Sequence, residues 1–548
     1  MNRHRARHWK WLILTWILTL APACLLAADS AAPDTCQKPA VAPADSEPLS
    51  PEDLAAKMDA AFEADWRKLG ITPAERTTDA EFLRRVYLDI SGKIPAVAEA
   101  RAFLDDTRGD KRRRLIEDLL SRGSFAAHFA NLWRELLLPG ANTNPETRGF
   151  APAFEAWLKV RFAANVPYDA LVAEILTARL ASPAPQTSGR RTTLSPSPAA
   201  FFQVNQNKPE SLAANAARIF LGMQVQCAQC HDHPFSHWRR HEFWSLAAFF
   251  SGLQTMTDDD APRPRLATAP LSIQIPETEQ VVAAKFLDGS APRARPGEDA
   301  RLTLSRWLTS AENPYFAKAA VNRLMDIFFG HAFVDPVDDL DERHPPSHPE
   351  LFAEMARQFA AHHYDLKYLV RALTATRAYQ LSSRTQAERP EEIDRFARMP
   401  LRRISAEQLY DCLVAATAFR EVAPQQPANP FSDDSVRGRF LARFADESAR
   451  RSEAQTTILQ ALALMNGSFT EVATSADRSQ LLSAVVELPL LAPSDRLETL
   501  YLAALSRRPE AAEAARLLEY VRQAPREKEA FADVYWALLN SAEFVLNH

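Results

Sequence analysis

Apolar residues recur at every third or fourth position along much of this chain, which is the spacing of amphipathic helices. The first predicted helix begins at Ser50-Pro51, because serine caps helices and proline suits the first turn. Leu54, Met58 and Phe62 then follow at four-residue steps. The pattern predicts further helices in the first half over residues 78–92, 111–120, 125–138, 154–162, 168–180 and 210–221.

The second half carries two capping-box patterns, which mark helix starts. They are Ser347-His348-Pro349-Glu350 and Ser405-Ala406-Glu407-Gln408. Between the halves, residues 256–299 are dense in proline and charge, and the alternation of apolar residues near position 273 predicts a short strand. We therefore expect a mainly α protein with helical domains at 50–255 and 300–548, joined by a Pro-rich connector with minor β structure.

Composition narrows the classes of function. The 64 basic and 69 acidic side chains give a net charge of −5, so the basic surface that nucleic-acid binding needs is not visible. Only 14 of 548 residues are glycine, which disfavours folds built on Gly-rich phosphate loops. We expect no nucleic-acid partner.

The N-terminus has the composition of an export signal. Residues 1–10 are basic, residues 11–20 are almost wholly apolar, and small residues follow, which predicts cleavage near Ala27 or Ala28. A retained membrane anchor is the alternative for residues 1–28, since the apolar stretch is just short of a membrane span. Residues 29–49 are rich in Ala, Pro and Ser and are predicted to be a linker. We expect an exported protein of the periplasm or cell envelope that contacts the membrane only through this N-terminal segment.

The run Cys227-Ala-Gln-Cys230-His231 carries the most specific chemistry of the chain. Cys-x-x-Cys-His is the pattern by which proteins attach haem c. Cys227 and Cys230 would form the two thioethers, and His231 would ligate the iron. Because covalent haem attachment belongs to compartments outside the cytosol, the predicted export agrees with it. The motif therefore predicts an electron-transfer or redox-associated protein.

Two other uses of these side chains remain open. A zinc or iron ion could be held by Cys227, Cys230, His231 and His233, although four ligands within seven residues crowd a tetrahedral site. A Cys227–Cys230 disulfide is the second. Either would suit a non-redox scaffold or binding protein of the envelope. His233, His237 and His241 follow at four-residue steps and would share one face if the stretch were helical, where we expect solvent-facing polar side chains.

The second half contains a set of polar residues that could serve a hydrolase or bind a metal. A structural role explains the set better, because an Asp–Arg pair usually stabilises a fold and His348 lies in the first turn of a capped helix. The residues are Arg323, Asp335, Asp338, Asp339, His344 and His348.

Two groups of motifs resemble known domains. Residues 222–235, with Trp238, residues 246–250 and the upstream run 83–92, resemble the planctomycete cytochrome-associated family, domain of unknown function 1549. The second half resembles its usual companion, domain of unknown function 1553, at residues 313–316, 321–323, 328–330, 334–339, 345–350, 364–367, 377–383, 403–408 and 539–544.

The resemblance implies an exported bacterial protein whose partners are cytochrome c-like domains or other envelope proteins. It also implies that His233, which matches the family motif, supports His231 or the cofactor. Ser236-His237-Trp238 departs from the Asp-Lys-Trp that the family commonly has, and His241 lies outside the family pattern. The resemblance does not assign an activity.

Overall fold

In the computed structural model, the described residues are 47–140, 144–180, 196–253, 271–293, 295, 297–384, 390–419, 435–444, 465, 475 and 479–548. Helices account for most of them, so the predicted mainly α class is confirmed. The predicted export signal and nearly all of the predicted linker lie outside these residues. No helix within the described ranges is long and apolar enough to cross a membrane.

The first half contains the Cys-x-x-Cys-His segment and eleven α-helices among the described residues. They are α1 Pro51–Leu69, α2 Asp79–Ser91, α3 Val97–Asp105, α4 Lys111–Ser121, α5 Gly123–Leu137, α6 Pro145–Arg148, α7 Ala151–Ala163, α8 Tyr168–Leu176, α9 Ala200–Val204, α10 Pro209–Ala216 and α11 Arg240–Ala247. A π turn, Ala217–Leu221, extends α10, and short 3₁₀ turns cover Gln226–Gln229 and Ala248–Leu253.

The second half is helical as well. Its helices are α12 Ala300–Leu308, α13 Phe316–Phe329, α14 Pro349–Ala361, α15 Leu366–Ala375, α16 Pro390–Asp394, α17 Ala406–Thr417, α18 Val436–Phe444, α19 Gln480–Glu487, α20 Pro493–Leu505, α21 Ala511–Gln523, α22 Glu527–Leu539 and α23 Ala542–Val545.

Two small antiparallel sheets complete the described structure. Strands β1, Ser272–Gln274, and β2, Val281–Ala283, pair with Ile273 opposite Val282, so the strand predicted in the connector is present. Strands β3, Arg402–Arg403, and β4, Leu546–Asn547, pair near the end of the chain. Both sheets are too short to set the fold, which depends on helix packing.

Helix caps test the local predictions directly. Ser50 accepts a hydrogen bond from the backbone of Asp53, and Ser405 and Gln408 form the predicted capping box. The box predicted at Ser347 is wrong, because α14 begins at Pro349 with His348 as its cap and makes no side-chain cap bond. The hydroxyl of Ser347 lies instead 3.0 Å from Nδ1 of the buried His348 ring, while the backbone N–H of Ser347 donates to the carbonyl of Phe333 at 2.8 Å.

Two hydrophobic cores organise the described helices. The larger one takes apolar side chains from residues 54–399, and therefore from both sides of the connector, together with Leu502. The smaller one contains apolar residues from 404–544, to which Leu88 and Ile94 of the first half contribute. The division into domains at residues 256–299 stays a prediction, while the described packing interleaves the two halves.

A buried ionic network ties α2 to distant parts of the chain. Arg85 pairs with Glu81 at 2.9 Å and donates to the carbonyl of Tyr379 at 2.6 Å. The Asp89 carboxylate accepts from Arg402 at 2.9 Å and from the hydroxyl of Tyr379 at 2.8 Å. Buried charges persist only when they are paired and hydrogen-bonded. The Arg-Arg-x-x-x-Asp run of α2 is therefore structural. We call the five residues of the network the ionic core; they are Glu81, Arg85, Asp89, Tyr379 and Arg402.

Candidate functional site

The Cys-x-x-Cys-His segment lies in a loop between the π turn and α11. Gly222 ends the π turn with φ +66°, a left-handed conformation that suits glycine. The 3₁₀ turn Gln226–Gln229 carries the first cysteine, and Cys230 ends it. Residues 230–239 then form no regular structure before α11 begins at Arg240. We call residues 226–239 the CxxCH loop.

Burial gives the turn a clear inside and outside. Ala228 is fully buried, whereas Cys227 and Cys230 are free thiols exposed to solvent. Trp244 of α11 holds the turn in place, because its indole N–H donates a hydrogen bond to the carbonyl of Gln229 at 3.0 Å. Residues three apart eclipse each other in a 3₁₀ turn. The two thiols are therefore available to one ligand on the exposed side.

The imidazole of His231 has a defined orientation. Its Nδ1 lies 2.8 Å from the carbonyl oxygen of Asp232. Because a carbonyl only accepts hydrogen bonds, Nδ1 must carry the proton, and the lone pair of the neutral ring is on Nε2. This arrangement is typical of metal-ligating histidines, in which the second ring nitrogen donates to a carbonyl. The exposed His231 is thus prepared to coordinate through Nε2.

His233 has the opposite arrangement. The backbone N–H of Phe235 donates to its Nδ1 at 3.2 Å, so the lone pair on Nδ1 is occupied and a neutral ring carries its proton on Nε2. Within the described ranges, no group of three or more His, Cys, Asp or Glu side chains is placed to hold a metal ion. The predicted zinc or iron site at Cys227, Cys230, His231 and His233 is accordingly not assembled.

The stretch that carries His233 and His237 is not helical, so the three histidines do not share a helix face. His233 and His237 lie in the irregular part of the CxxCH loop, and only His241 lies in α11. The backbone of His233 donates to the carbonyl of Trp238 at 2.8 Å, a loop contact that a helix would not make. His237 and His241 are exposed, as expected of solvent-facing polar residues.

A second loop, residues 338–344, holds the CxxCH loop from across the sequence. Asp341 accepts a hydrogen bond from the hydroxyl of Ser236, and the backbone of Leu340 donates to the carbonyl of Gly222 at 2.7 Å. A Cβ at Gly222 would lie 2.9 Å from Leu340, so only glycine allows this approach. The two halves of the chain therefore meet at the site.

Charges in this second loop are balanced locally. Burial raises the pKa of Asp339, against the opposing effects of His344, Arg343 and His233. The pKa of Asp341 is lowered: burial opposes this, but hydrogen bonds from Ser236 and Arg343 outweigh it. Nδ1 of His344 lies 3.3 Å from Asp339. Asp341 is thus held as a carboxylate that anchors the CxxCH loop.

The predicted hydrolytic set is divided among different surroundings. Asp338 pairs with Arg323 and, at 2.9 Å, with Arg218, which joins α13 to the π turn. His348 is buried beside the rings of Phe62, Phe333 and Phe396. These surroundings support the structural interpretation of the set.

Sequence reasoning missed Ser236 and Asp341 as partners. Ser236 stood out only as a departure from the family pattern, and Asp341 lies 105 residues away. The acidic stretch before Asp341 was the only sequence signal near this contact, and it pointed to Asp335, Asp338 and Asp339 as candidate residues.

Two family models match this chain. The family model PSCyt2, protein of unknown function (DUF1549), matches residues 57–255, and PSD1, protein of unknown function (DUF1553), matches residues 300–437. The CxxCH loop lies within the first match and residues 338–344 within the second. No curated protein and no solved structure matches the chain. The chain belongs to the planctomycete cytochrome-associated proteins that combine a DUF1549 region with a DUF1553 region.

Proposed function

We propose that this protein is an exported redox protein that carries haem c at Cys227, Cys230 and His231. The observation that carries the proposal is the His231 ring, whose Nδ1 is committed to the Asp232 carbonyl and whose Nε2 is therefore available to iron. Haem c, when bound, supplies one-electron redox chemistry.

The two thiols support the same proposal. Both are exposed, and they are three residues apart, one within the 3₁₀ turn and the other at its end, which is the spacing of haem c attachment motifs. Ala228 faces the interior, so the cysteines face outward. The donor set, two thiols and an imidazole with a free lone pair, fits haem c better than a four-ligand metal site, because the Nδ1 of His233 is already an acceptor.

The surrounding residues would hold the loop in position. Asp341 fixes Ser236, and Leu340 fixes the backbone at Gly222, so the loop is anchored at both ends. We propose export to the periplasm or envelope from the signal-like residues 1–28, and a cytochrome c-like domain or another exported envelope protein as partner.

Expression of the mature chain in a host that matures haem c tests the proposal. We expect the intact mass to increase by one haem and the pyridine haemochrome spectrum to show an α band. The Cys227→Ala/Cys230→Ala variant should lose both signals. His231→Ala should alter the spectrum of the attached haem, while the matched control His237→Ala, an exposed histidine of the same loop, should leave it unchanged. A wild-type chain without added haem mass contradicts the proposal.

The exposed pair of thiols also favours a second candidate, a reversible disulfide in a non-redox envelope protein. In that case the purified chain lacks haem, and mild oxidation removes two reactive thiols that a reductant restores. Mass mapping after alkylation distinguishes this outcome, and metal analysis of the same sample tests zinc or iron.

A further inference from the structure

A cavity of about 280 Å³ lies between the two family regions, away from the CxxCH loop. Its walls are the end of α2, one face of α5 and one face of α17. None of its lining residues belongs to the CxxCH loop or to residues 338–344. Ser91 and Gly92 line the cavity and end the family-like stretch 83–92, and Ser405 lies in the family-like stretch 403–408. The proposed haem chemistry uses neither stretch.

The cavity is built by close backbone approach. Gly92 ends α2 with φ +71°, and a Cβ there would lie 2.5 Å from Nδ1 of His128. The hydroxyls of Ser124 and Ser91 join across the wall at 3.1 Å. Gln408 is held by its donation to the carbonyl of Leu88 at 2.8 Å. These contacts fix the wall between α2, α5 and α17.

The lining is rich in groups that both donate and accept hydrogen bonds. It includes the amide of Asn131 and the hydroxyls of Ser91, Ser124 and Ser405. Ser124 already donates to Ser91, and Ser405 and Gln408 already form the capping box of α17, so a ligand would use the donors and acceptors that these bonds leave. The carboxylates of the lining are strong acceptors. Among the lining residues the one aromatic ring is the imidazole of His128, and the apolar part of the lining comes from Ala127, Leu132, Val414 and Ala415. Such a lining suits a ligand whose own groups donate and accept, and hydroxyls do both.

The charges of the lining are compensated by the protein. Glu407 pairs with the buried Arg134 at 2.7 Å, and Asp411 pairs with Arg437. Lys93 and Glu135 add one charge of each sign. A charged ligand would therefore meet no opposite charge in excess and would lose its hydration. The cavity favours a neutral ligand.

We infer that this cavity binds a neutral polyhydroxylated molecule of the size of a monosaccharide. Its volume equals that of about nine waters, taking about 30 Å³ for each. That is room for one small ring with its hydroxyls, and it is below the range of most drug-sized sites, about 300–1,000 Å³. The inference does not depend on haem attachment.

Saturation-transfer NMR on the full mature chain tests this inference, with glucose, galactose and mannose as probes. We expect saturation transfer to at least one neutral hexose, with a Kd in the range of about 1 mM that small polar ligands reach. Glucosamine and glucuronate, which are charged analogues, should bind at least about tenfold more weakly. Equal or stronger binding of either charged sugar overturns the inference of a neutral ligand.

Two variants locate the binding. Ala127→Phe fills the cavity from α5 and should abolish transfer, while the matched control Ala512→Phe, at an exposed position of α21, should leave it intact. Asn131→Ala removes one polar group of the lining and should weaken binding about fivefold; it serves as the test if Ala127→Phe does not fold, as judged by circular dichroism. Absence of transfer to all three hexoses in the folded wild type, or unchanged binding in the folded cavity variants, overturns the proposal.

Discussion

The ionic core and the CxxCH loop are two polar clusters with opposite surroundings. In the ionic core, Arg85 and Asp89 are buried and held by partners from distant parts of the chain. In the CxxCH loop, Cys227, Cys230 and His231 are exposed. Both clusters belong to stretches that resemble the family, yet one is committed to the fold and the other is accessible to a ligand.

The difference shows how to separate structural from chemical motifs. A buried charge must be paired, because an unpaired one costs several kcal/mol. Arg85 meets this condition through Glu81 and three backbone carbonyls, those of Tyr379, Leu381 and His548, and so has no group left for chemistry. His231 uses one ring nitrogen for orientation and keeps the other for a ligand.

Thiol reactivity should show the largest contrast between interior and loop. Burial raises the pKa of Cys412 to about 12, so at pH 8 only about one in ten thousand of its thiols is ionised. In chain made without haem maturation, we expect iodoacetamide to label Cys227 and Cys230 at least about 1,000-fold faster than Cys412. Peptide mapping by mass spectrometry measures this. Equal labelling rates for Cys412 and the two loop cysteines in the folded protein would contradict the contrast between a buried and an exposed cluster.

Substitution of Arg85 should break the ionic core. Arg85→Met leaves Glu81 buried without its cation and should lower the free energy of unfolding by about 3–5 kcal/mol. The matched control Arg113→Met removes an exposed ion pair with Asp110 and should cost less than about 1 kcal/mol. Urea unfolding followed by circular dichroism measures both. Similar losses in the two variants would contradict a structural role for the buried pair.

Substitution of Gly222 should separate the CxxCH loop from residues 338–344. Gly222→Ala forces a left-handed alanine against Leu340 and should destabilise the protein by about 2–4 kcal/mol. Gly109→Ala is the control, because a Cβ there meets nothing within 4 Å, and its effect should stay below about 1 kcal/mol. Thermal unfolding checks the difference. A Gly222→Ala variant as stable as the wild type would show that the contact between Gly222 and Leu340 does not hold the CxxCH loop.

The smallest expected effect is a change in the pH dependence of stability, caused by the buried His348. Burial lowers the pKa of His348 below the ordinary 6.5, Asp65 opposing this and Arg395 adding to it. Between the two pKa values the unfolded chain binds the proton, so stability falls as the pH decreases below 6.5, by at most about 1.4 kcal/mol per pH unit.

His348→Phe should remove this dependence, since the ring lies among Phe62, Phe333 and Phe396. The difference between wild type and variant in urea midpoint, followed from pH 7.5 to 5, measures the effect. His241→Gln, at an exposed position, is the control. A wild-type minus variant difference that does not change with pH would contradict it.

Local patterns carried much of the fold. Apolar spacing predicted α1, α2, α4, α5 and α7, and the caps at Ser50 and Ser405 form as predicted. These signals are reliable because the residues that cause them lie within a few positions of each other. The cap predicted at Ser347 does not form, and the Ser347 hydroxyl lies instead 3.0 Å from Nδ1 of His348.

The sequence by itself determined the helical class, the family and the three residues proposed to hold the cofactor. The tertiary structure alone decided that Arg85 is interior and Cys227 exposed, that His231 and His233 carry their protons on different nitrogens, and that Ser236 meets Asp341. The physical reason is distance along the chain: Ser236 and Asp341 are 105 residues apart, and no local pattern encodes a hydrogen bond between them. Burial follows from such contacts, so it becomes known only when the halves are packed together. The tautomers of His231 and His233 follow instead from the conformation of the CxxCH loop, because their ring partners lie one and two residues away.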